Sequence, residues 1–220
     1  MSKAIVLLSG GLDSTTILYL AKKKYKPYCL IFDYGQRHDK EVDIARSIAR
    51  HAKCAYKIVK IALPWQGSSL LDKAKNLPRR RKVNPKEIPS TYVPGRNIIF
   101  LSFAVSFAEA IGAKAIYIGA NAIDYSGYPD CRPKFFDAYR KAIKLGTKVG
   151  VQKANIKILT PLIHKTKAQI IRQGMKLKVP YQKSWSCYQG GKKPCGQCDS
   201  CLLRQKGFER AGFLDPALSS

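Results

Sequence analysis

The stretch KAIVLLSGGLDS at residues 3–14 decides how the rest of the chain is interpreted. Residues 3–8 form an apolar run of the kind that predicts a strand buried on both faces of a sheet. Gly10 and Gly11 then predict a tight turn, because glycine adopts positive φ without steric cost. Asp13 and Ser14 then lead into a predicted helix at residues 15–24. A buried strand, a glycine turn and a helix in this order predict the first half of a βαβ unit.

The alternation of strands and helices continues along the chain. Further strands are predicted at residues 28–32, 56–61, 115–118 and 156–159, and helices at residues 15–24, 41–51, 98–110, 134–144 and 167–177. This order predicts an α/β fold with a doubly wound, Rossmann-like parallel sheet. Residues 65–94 show neither helical nor strand periodicity, which is typical of a lid, a binding loop or disorder. We expect an α/β domain over residues 1–183 and a metal-binding segment over residues 184–220 packed on it.

Length and composition limit the class of protein. The chain has 220 residues, of which 45% are hydrophobic, enough for one domain with a small appendage. No apolar run approaches the roughly 18–20 residues of a membrane span, and the short run at residues 4–8 does not resemble a signal peptide. The sequence therefore predicts a cytoplasmic protein without a membrane partner. Its seven cysteines are an odd number, which argues against a disulfide framework.

The charge is strongly unbalanced. Forty Lys and Arg residues against 14 Asp and Glu give a net charge of +26. This field favours anionic partners such as nucleotides, phosphorylated or carboxylated small molecules, or nucleic acid. A lysine-rich solvated surface is the alternative interpretation, and charge alone does not distinguish a nucleotide-using enzyme from an RNA-binding protein.

The turn after the first strand is a candidate phosphate site. Paired glycines, a helix N-terminus and the hydroxyls of Ser9 and Ser14 together predict a cradle for an anion. It is neither a Walker A loop, since the Gly-Lys-Ser/Thr ending is missing, nor the G-x-G-x-x-G loop of dinucleotide sites. Asp13 in such a cradle is explained if Mg²⁺ accompanies the phosphates. A capped strand-to-helix turn without a ligand is the alternative.

Ser-Gly-Gly-Leu-Asp-Ser at residues 9–14 resembles the PP-motif of the ATP-pyrophosphatase superfamily. Members of that superfamily bind the pyrophosphate end of ATP and usually split ATP into AMP and pyrophosphate. The resemblance implies the adenine nucleotide alpha hydrolase type of fold. It also implies adenylation of a substrate oxygen, followed by displacement of AMP by a nucleophile.

Three further stretches narrow the resemblance to one family. They are YVPGRN at residues 92–97, GANAIDYSGYPDCR at residues 119–132, and WSCY at residues 185–188 followed by CGQCDSC at residues 195–201. Together they resemble the 7-cyano-7-deazaguanine synthase family over residues 4–212. The resemblance implies that ATP drives the conversion of 7-carboxy-7-deazaguanine and ammonia to 7-cyano-7-deazaguanine, through adenylated carboxylate and amide intermediates. Such an enzyme is an ATP-dependent carbon–nitrogen ligase in queuosine and archaeosine precursor synthesis. The resemblance also implies a homodimer.

The resemblance carries a set of site residues. The implied ATP-binding residues are Leu8, Ser9, Gly10, Gly11, Leu12, Asp13, Ser14, Phe32, Arg96 and Asn97. The implied substrate-binding residues are Asn121, Asp124, Tyr125, Asp130 and Arg132, of which Arg132 suits the substrate carboxylate. The implied catalytic residues are Asp13, Ser14, Lys167 and Arg132. Lys165 is an alternative to Lys167 for reaching phosphate, and Cys131 invites interpretation as a nucleophile although the reaction needs no thiol.

Four cysteines near the C-terminus have the spacing of a metal site. Cys187, Cys195, Cys198 and Cys201 contain two overlapping C-x₂-C steps plus a fourth thiolate, which suits one tetrahedral Zn²⁺ per chain. Four protein ligands close the site, so a structural role is expected. An iron–sulfur cluster is the alternative, because thiolates also hold [4Fe–4S].

Two other functions fit parts of the sequence. A PP-motif enzyme that modifies tRNA directly would explain the positive charge, and a zinc-containing nucleic-acid-binding regulator would explain the cysteines. We expect no appended RNA-binding domain, and the polar loop at residues 119–132 suits a free base. We therefore expect small-molecule substrates and no obligatory nucleic-acid partner.

Overall fold

A five-stranded parallel sheet is the centre of the computed structural model, which describes residues 1–37, 40–65, 67–72, 74–78, 87–123 and 127–218. The strands are β1 (Lys3–Leu7), β2 (Lys26–Asp33), β3 (Ala55–Lys60), β4 (Ala115–Tyr117) and β5 (Lys157–Leu159). Their order is β3-β2-β1-β4-β5, and every neighbouring pair is parallel. The predicted doubly wound sheet is confirmed.

Helices cover both faces of the sheet. They are α1 (Leu12–Lys22), α2 (Lys40–His51), α3 (Arg96–Ile111), α4 (Pro133–Gly146), α5 (Lys148–Val151), α6 (Lys167–Lys176) and α7 (Asp199–Ala211). Apolar residues of α1, α2, α6 and α7 share one core with the sheet, while those of α3 and α4 share the other. This two-faced burial explains why the strands are nearly continuous apolar runs.

Strand β1 shows how its sequence produces the two cores. Ala4 and Val6 face the core beneath α1 and α2, whereas Ile5 and Leu7 face the core beneath α3. All four are at most 8% exposed. Since side chains alternate between the faces of a strand, an apolar run of this length has to be buried on both sides.

The functional end of the sheet follows from the strand order. The chain runs from β1 outward to β3 on one side and then crosses to β4 and β5 on the other. The connections after β1 and β4 therefore leave the sheet in opposite directions. Such a switch point opens a crevice at the carboxyl ends of the strands, where ligands bind in folds of this type.

The structure adds elements that the sequence patterns did not predict. Helix α1 begins at Leu12, three residues earlier than predicted, and α5 and α7 were not predicted. The division of the chain at residue 183 remains a prediction. Among the described residues, no helix combines the length and the apolar character needed to cross a membrane.

Candidate active site and metal centre

A cavity of about 260 Å³ opens at the carboxyl ends of β1, β2 and β4. It lies at the switch point of the sheet and brings together residues that are far apart in sequence. The predicted site residues that line it are Leu8, Ser9, Gly11, Leu12, Asp13, Ser14, Phe32, Arg96, Asn97, Asn121 and Lys167. The candidate phosphate loop therefore shares one cavity with residues from α3, from the loop after β4 and from α6.

The loop at residues 8–14 has the geometry of an anion cradle. Gly10 has a φ of +77°, and a Cβ there would lie 2.8 Å from Cγ2 of Ile44 and 2.9 Å from the backbone nitrogen of Ala45. Glycine therefore lets the loop lie directly on α2. Ser14 Oγ accepts hydrogen bonds from the backbone N–H of Ser9 at 3.2 Å and from Ser9 Oγ at 3.1 Å. These bonds curl the loop around the N-terminus of α1, where backbone N–H groups favour an anion.

A second close approach closes the cradle from the side of β4. A Cβ at Gly119 would lie 3.1 Å from the backbone nitrogen of Ser14. The backbone after β4 therefore lies against the first turn of α1. Because glycine has no side chain here, the residues after β4 can line the cavity directly beside the loop after β1.

An ion pair lies at the edge of the cradle. Lys167 Nζ donates to both carboxylate oxygens of Asp13, at 2.9 and 2.8 Å. The lysine side chain is 9% exposed and the aspartate 16%. Lys167 is the first residue of α6, whose N-cap Thr166 forms a capping box with Gln169. The cap fixes the start of the helix and therefore the point from which the lysine reaches the phosphate loop.

Flat apolar surfaces occupy the β2 side of the cavity. The rings of Phe32 and Phe100 stack with centroids 4.0 Å apart and planes 5° from parallel. Arg96 Nη1 donates to the hydroxyl of Tyr34 at 3.1 Å. Burial works to lower the pKa of Arg96, but Tyr34, Tyr128 and Asp130 outweigh it and hold that pKa above its ordinary value. The guanidinium therefore stays charged beside an aromatic wall.

Asn97 and Asp130 form a buried polar support for this wall. The backbone N–H of Asn97 donates to Asp130 Oδ2 at 3.0 Å, and Asn97 Nδ2 donates to the Asp130 carbonyl at 3.2 Å and to Cys131 Sγ at 3.2 Å. Burial raises the pKa of Asp130. It also raises the pKa of Cys131, with a contribution from Asp130, to about 12. Cys131 therefore presents a neutral thiol to the cavity, which argues against a nucleophilic role.

The structure separates the other predicted substrate residues. The side chain of Asn121 ties two loops together, since its Nδ2 donates to the Lys165 carbonyl at 2.6 Å and its Oδ1 accepts from the backbone of Ile123 at 2.9 Å. Arg132 is exposed and is not part of the cavity lining. Asp124 and Tyr125 lie outside the described residues. Lys165 is also absent from the lining, whereas Lys167 is part of it.

Sequence reasoning missed part of the lining. Tyr34, Gln36, Arg37, Glu41 and Leu70 contribute from the β2 side, and Ser186, Ser200 and Arg204 contribute from the C-terminal segment. Tyr34 follows the end of β2, so its position at a strand end was a usable signal. No sequence pattern predicted the helix that contains Ser200 and Arg204, so nothing local indicated that they would line the cavity.

The four cysteines of the C-terminal segment converge on one point. The Sγ atoms of Cys187, Cys195, Cys198 and Cys201 all lie within 4.8 Å of one another. Backbone N–H groups of residues 189 and 195 donate to Cys187 Sγ, and those of residues 197 and 198 donate to Cys195 Sγ, at 3.3–3.4 Å. Such donors stabilise thiolate charge. The group is suited to hold a metal ion.

Comparison with known proteins shows the family of the chain. The model of the family described as "Queuosine biosynthesis protein QueC" matches residues 3–212. A 7-cyano-7-deazaguanine synthase of Thermoplasma acidophilum is 54% identical over 216 residues, which are 97% of this chain and 90% of that protein. One of Acetivibrio thermocellus is 52% identical over 217 residues, 98% of this chain and 96% of that protein.

A solved structure supports the fold alone. NMN synthetase from Francisella tularensis superposes with a TM-score of 0.50 at 16% identity, covering 99% of this chain and 81% of that one. The shared architecture is a parallel sheet with helices on both faces. At this identity the similarity carries no information about the substrate.

Proposed function

Because the chain belongs to the QueC family of queuosine biosynthesis proteins, we propose that it forms 7-cyano-7-deazaguanine from 7-carboxy-7-deazaguanine, ammonia and ATP. The observation that carries the proposal is the position of Lys167 and Asp13. Their ion pair stands at the edge of a glycine loop and a helix N-terminus, inside a cavity that also offers an aromatic wall. This combination suits a nucleotide whose phosphates are to be attacked.

The reaction requires two activations of oxygen. In the first, a carboxylate oxygen attacks the α-phosphorus of ATP, pyrophosphate leaves, and ammonia then displaces AMP to give the amide with loss of a proton. In the second, the amide oxygen attacks the α-phosphorus of another ATP and pyrophosphate leaves again. The amide nitrogen then loses both of its protons as AMP is eliminated, which leaves the nitrile. Both oxygens of the original carboxylate therefore depart on AMP.

The phosphate loop would supply most of the catalysis through electrostatics. Backbone N–H groups at the start of α1 and the ammonium of Lys167 stabilise charge that develops on the leaving pyrophosphate. Holding attacking oxygen and α-phosphorus in line adds the advantage of proximity. The Asp13 carboxylate and the Ser14 hydroxyl are oxygen donors of the type that Mg²⁺ prefers. When bound with ATP, Mg²⁺ would neutralise phosphate charge.

We propose that the adenine ring of ATP binds on the β2 side. Phe32 is stacked on Phe100 and lines the cavity, which offers an apolar surface to a purine. Arg96, whose guanidinium donates to Tyr34, adds positive charge to the same cavity. Asn97 acts through its hydrogen bonds to Asp130 and supports the wall from behind.

The second purine-like ring requires groups that read its edge. We propose Asp124, Tyr125, Asp130 and Arg132 for this role, together with Asn121, which lines the cavity. Arg132 follows directly after Cys131, another lining residue, so its guanidinium is a candidate partner for the substrate carboxylate. We also propose that the enzyme works as a homodimer.

We propose that the cysteines hold zinc. Four ligands at about 2.3 Å in a tetrahedron place the sulfurs about 3.8 Å apart. The four Sγ atoms lie within 4.8 Å of one another, which suits one ion. In a cubane cluster each thiolate binds its own iron, so the sulfurs would be farther apart. A closed Cys₄ site leaves no open position for catalysis.

Mass spectrometry of the reaction tests the proposed function. The purified protein is incubated with 7-carboxy-7-deazaguanine, ATP and an ammonium salt, with and without excess tRNA. We expect the nitrile as product, with its rate independent of tRNA. Label from ammonia that appears in tRNA itself would instead support a direct tRNA-modifying enzyme. Absence of nitrile under all conditions would contradict the proposal.

A further inference from the structure

Helix α7 contacts the phosphate cradle in two places, through the segment that bonds the Gly10 loop and through Lys167. It begins within the metal centre, since Cys198 is its N-cap and Cys201 lies in its first turn. Two of its residues, Arg204 and Gly207, lie three positions apart and therefore on one face of the helix. Arg204 holds the segment that touches the phosphate loop, and Gly207 lies against Lys167.

Arg204 uses all of its hydrogen-bond donors inside the protein. Nε and Nη2 donate to the two carboxylate oxygens of Asp215 at 2.7 and 2.8 Å, in the bidentate geometry that makes such pairs strong. Nη2 also donates to the Tyr181 carbonyl at 3.0 Å. Nη1 donates to Ser184 Oγ at 2.8 Å and to Ser186 Oγ at 3.4 Å. A guanidinium has five N–H groups, so Arg204 is occupied by the chain although it lines the cavity.

The bonds of Arg204 lead directly to the phosphate loop. Ser184 and Ser186 are the two neighbours of Trp185 in the chain. The backbone N–H of Trp185 donates to the carbonyl of Gly10 at 2.9 Å. Gly10 is the residue of the loop with left-handed φ that lies directly on α2. Its peptide is therefore held from one side by α2 and from the other by the segment that Arg204 clamps.

Gly207 makes the second contact, with the side chain of Lys167. A Cβ at this position would overlap Cγ of Lys167 and come within 2.9 Å of Cδ1 of Ile171. The absence of a side chain lets α7 lie against the aliphatic stem of the lysine. That stem carries the Nζ that bonds Asp13. The packing of α7 therefore determines where the ammonium is delivered.

We propose that Arg204 and Gly207 are positioning residues for the phosphate cradle. Arg204 fixes the Gly10 peptide through Trp185, and Gly207 fixes the ammonium of Lys167. The C-terminal metal-binding segment thus serves the active site by holding the shape of the cradle. The inference rests on the proposed function in one respect, namely that the cradle binds the phosphates of ATP.

Two variants with a matched control test the proposal. Arg204→Lys keeps the charge but loses the forked geometry, and Gly207→Ala adds one methyl group against Lys167. Lys206→Ala alters an exposed position on the same helix. Each protein is assayed for backbone hydrogen exchange in residues 8–14, for ATP affinity, for kcat and KM separately, and for bound metal.

We expect the two positioning variants to lower kcat by about 100-fold, the cost of misplacing a reacting group by about 1 Å, while KM for the deazapurine changes little. Arg204→Lys should also speed hydrogen exchange in residues 8–14. Metal content should match that of the unaltered protein, and Lys206→Ala should leave every readout unchanged. Gly207→Ala raises helix propensity, so it keeps the test open if Arg204→Lys fails to fold.

The opposite results are equally specific. Normal loop exchange in Arg204→Lys combined with weaker ATP binding would make Arg204 a direct ligand contact and overturn its positioning role. Unchanged kcat in Gly207→Ala would overturn the role of Gly207. Hydrogen exchange requires no ligand, so a failure to form nitrile in the unaltered protein would contradict the proposed function without affecting this measurement.

Discussion

Replacing Lys167 by methionine tests the cradle most selectively. Methionine retains an aliphatic stem of similar reach, so the packing against α7 and Ile171 is largely kept. The substitution removes the ammonium that lies 2.8 and 2.9 Å from the oxygens of Asp13. The variant therefore separates the charge of the residue from its volume.

The expected loss of activity follows from the position of the charge. Removing one preorganised donor from developing negative charge costs about 100- to 1,000-fold in kcat, or about 2.7–4 kcal/mol. The loss of stability should be smaller. An exposed ion pair is worth at most about 1 kcal/mol, and breaking a fully buried one costs about 3–5 kcal/mol. Asp13 is 16% exposed in a cavity open to solvent, so we expect about 1–2 kcal/mol, between these limits.

The assay combines pyrophosphate release in a single turnover with thermal unfolding. Lys165→Met is the matched control, because Lys165 is two residues away and does not line the cavity. We expect Lys167→Met to lose turnover while melting a few degrees lower, and Lys165→Met to behave like the unaltered protein. Turnover within about threefold of normal in Lys167→Met, well below the cost of one lost donor, would refute the role of its charge.

Three further outcomes are expected. Asp13→Ala should abolish both half-reactions, since one cradle serves both activations, and conversion of added amide to nitrile at the normal rate would contradict a single cradle. Cys198→Ser should lose zinc, about one ion per chain by metal analysis, and unfold more easily, because closed Cys₄ sites contribute directly to folding; iron with visible absorption would contradict zinc. Cys131→Ser should keep the pH–rate profile between about pH 7 and 9, because burial raises the pKa of Cys131 to about 12 and the thiol stays neutral there. Because the folded state favours the neutral thiol, Cys131 contributes its full stabilisation below the thiol's unfolded-state pKa of about 8.5. This stabilisation is lost as pH rises through the folded-state pKa of about 12. Unfolding of Cys131→Ser and of the unaltered protein at several pH values would measure it.

The cradle could be predicted because its determinants are local. An apolar run, two glycines and a helix start lie within residues 3–14, and each restricts the backbone independently of the rest of the chain. The order of strands and helices then places this loop at a strand end. The position after a strand end indicated Lys165 or Lys167, and the choice of Lys167 came from the family resemblance.

Helix α7 could not be predicted because its signals are short and mixed. Its first turn contains Cys201, and its buried face includes Arg204 and Gly207, which do not form an apolar stripe. Arg204 can be buried because Asp215 pairs with its charge, and residue 207 has to be glycine because Lys167 packs against it. The tertiary fold brings these partners together, so no local sequence pattern predicts the contacts.

The central claim is that the cradle activates both oxygens of the substrate by adenylation, and an isotope measurement tests it directly. The substrate is 7-carboxy-7-deazaguanine with ¹⁸O in both carboxylate positions, incubated with ATP and ammonia, and the products are analysed by mass spectrometry. Adenylation predicts unlabelled pyrophosphate and one ¹⁸O in each AMP, with two AMP formed for every nitrile. Appearance of the label in inorganic phosphate together with ADP would show attack at the γ-phosphorus and would contradict the account.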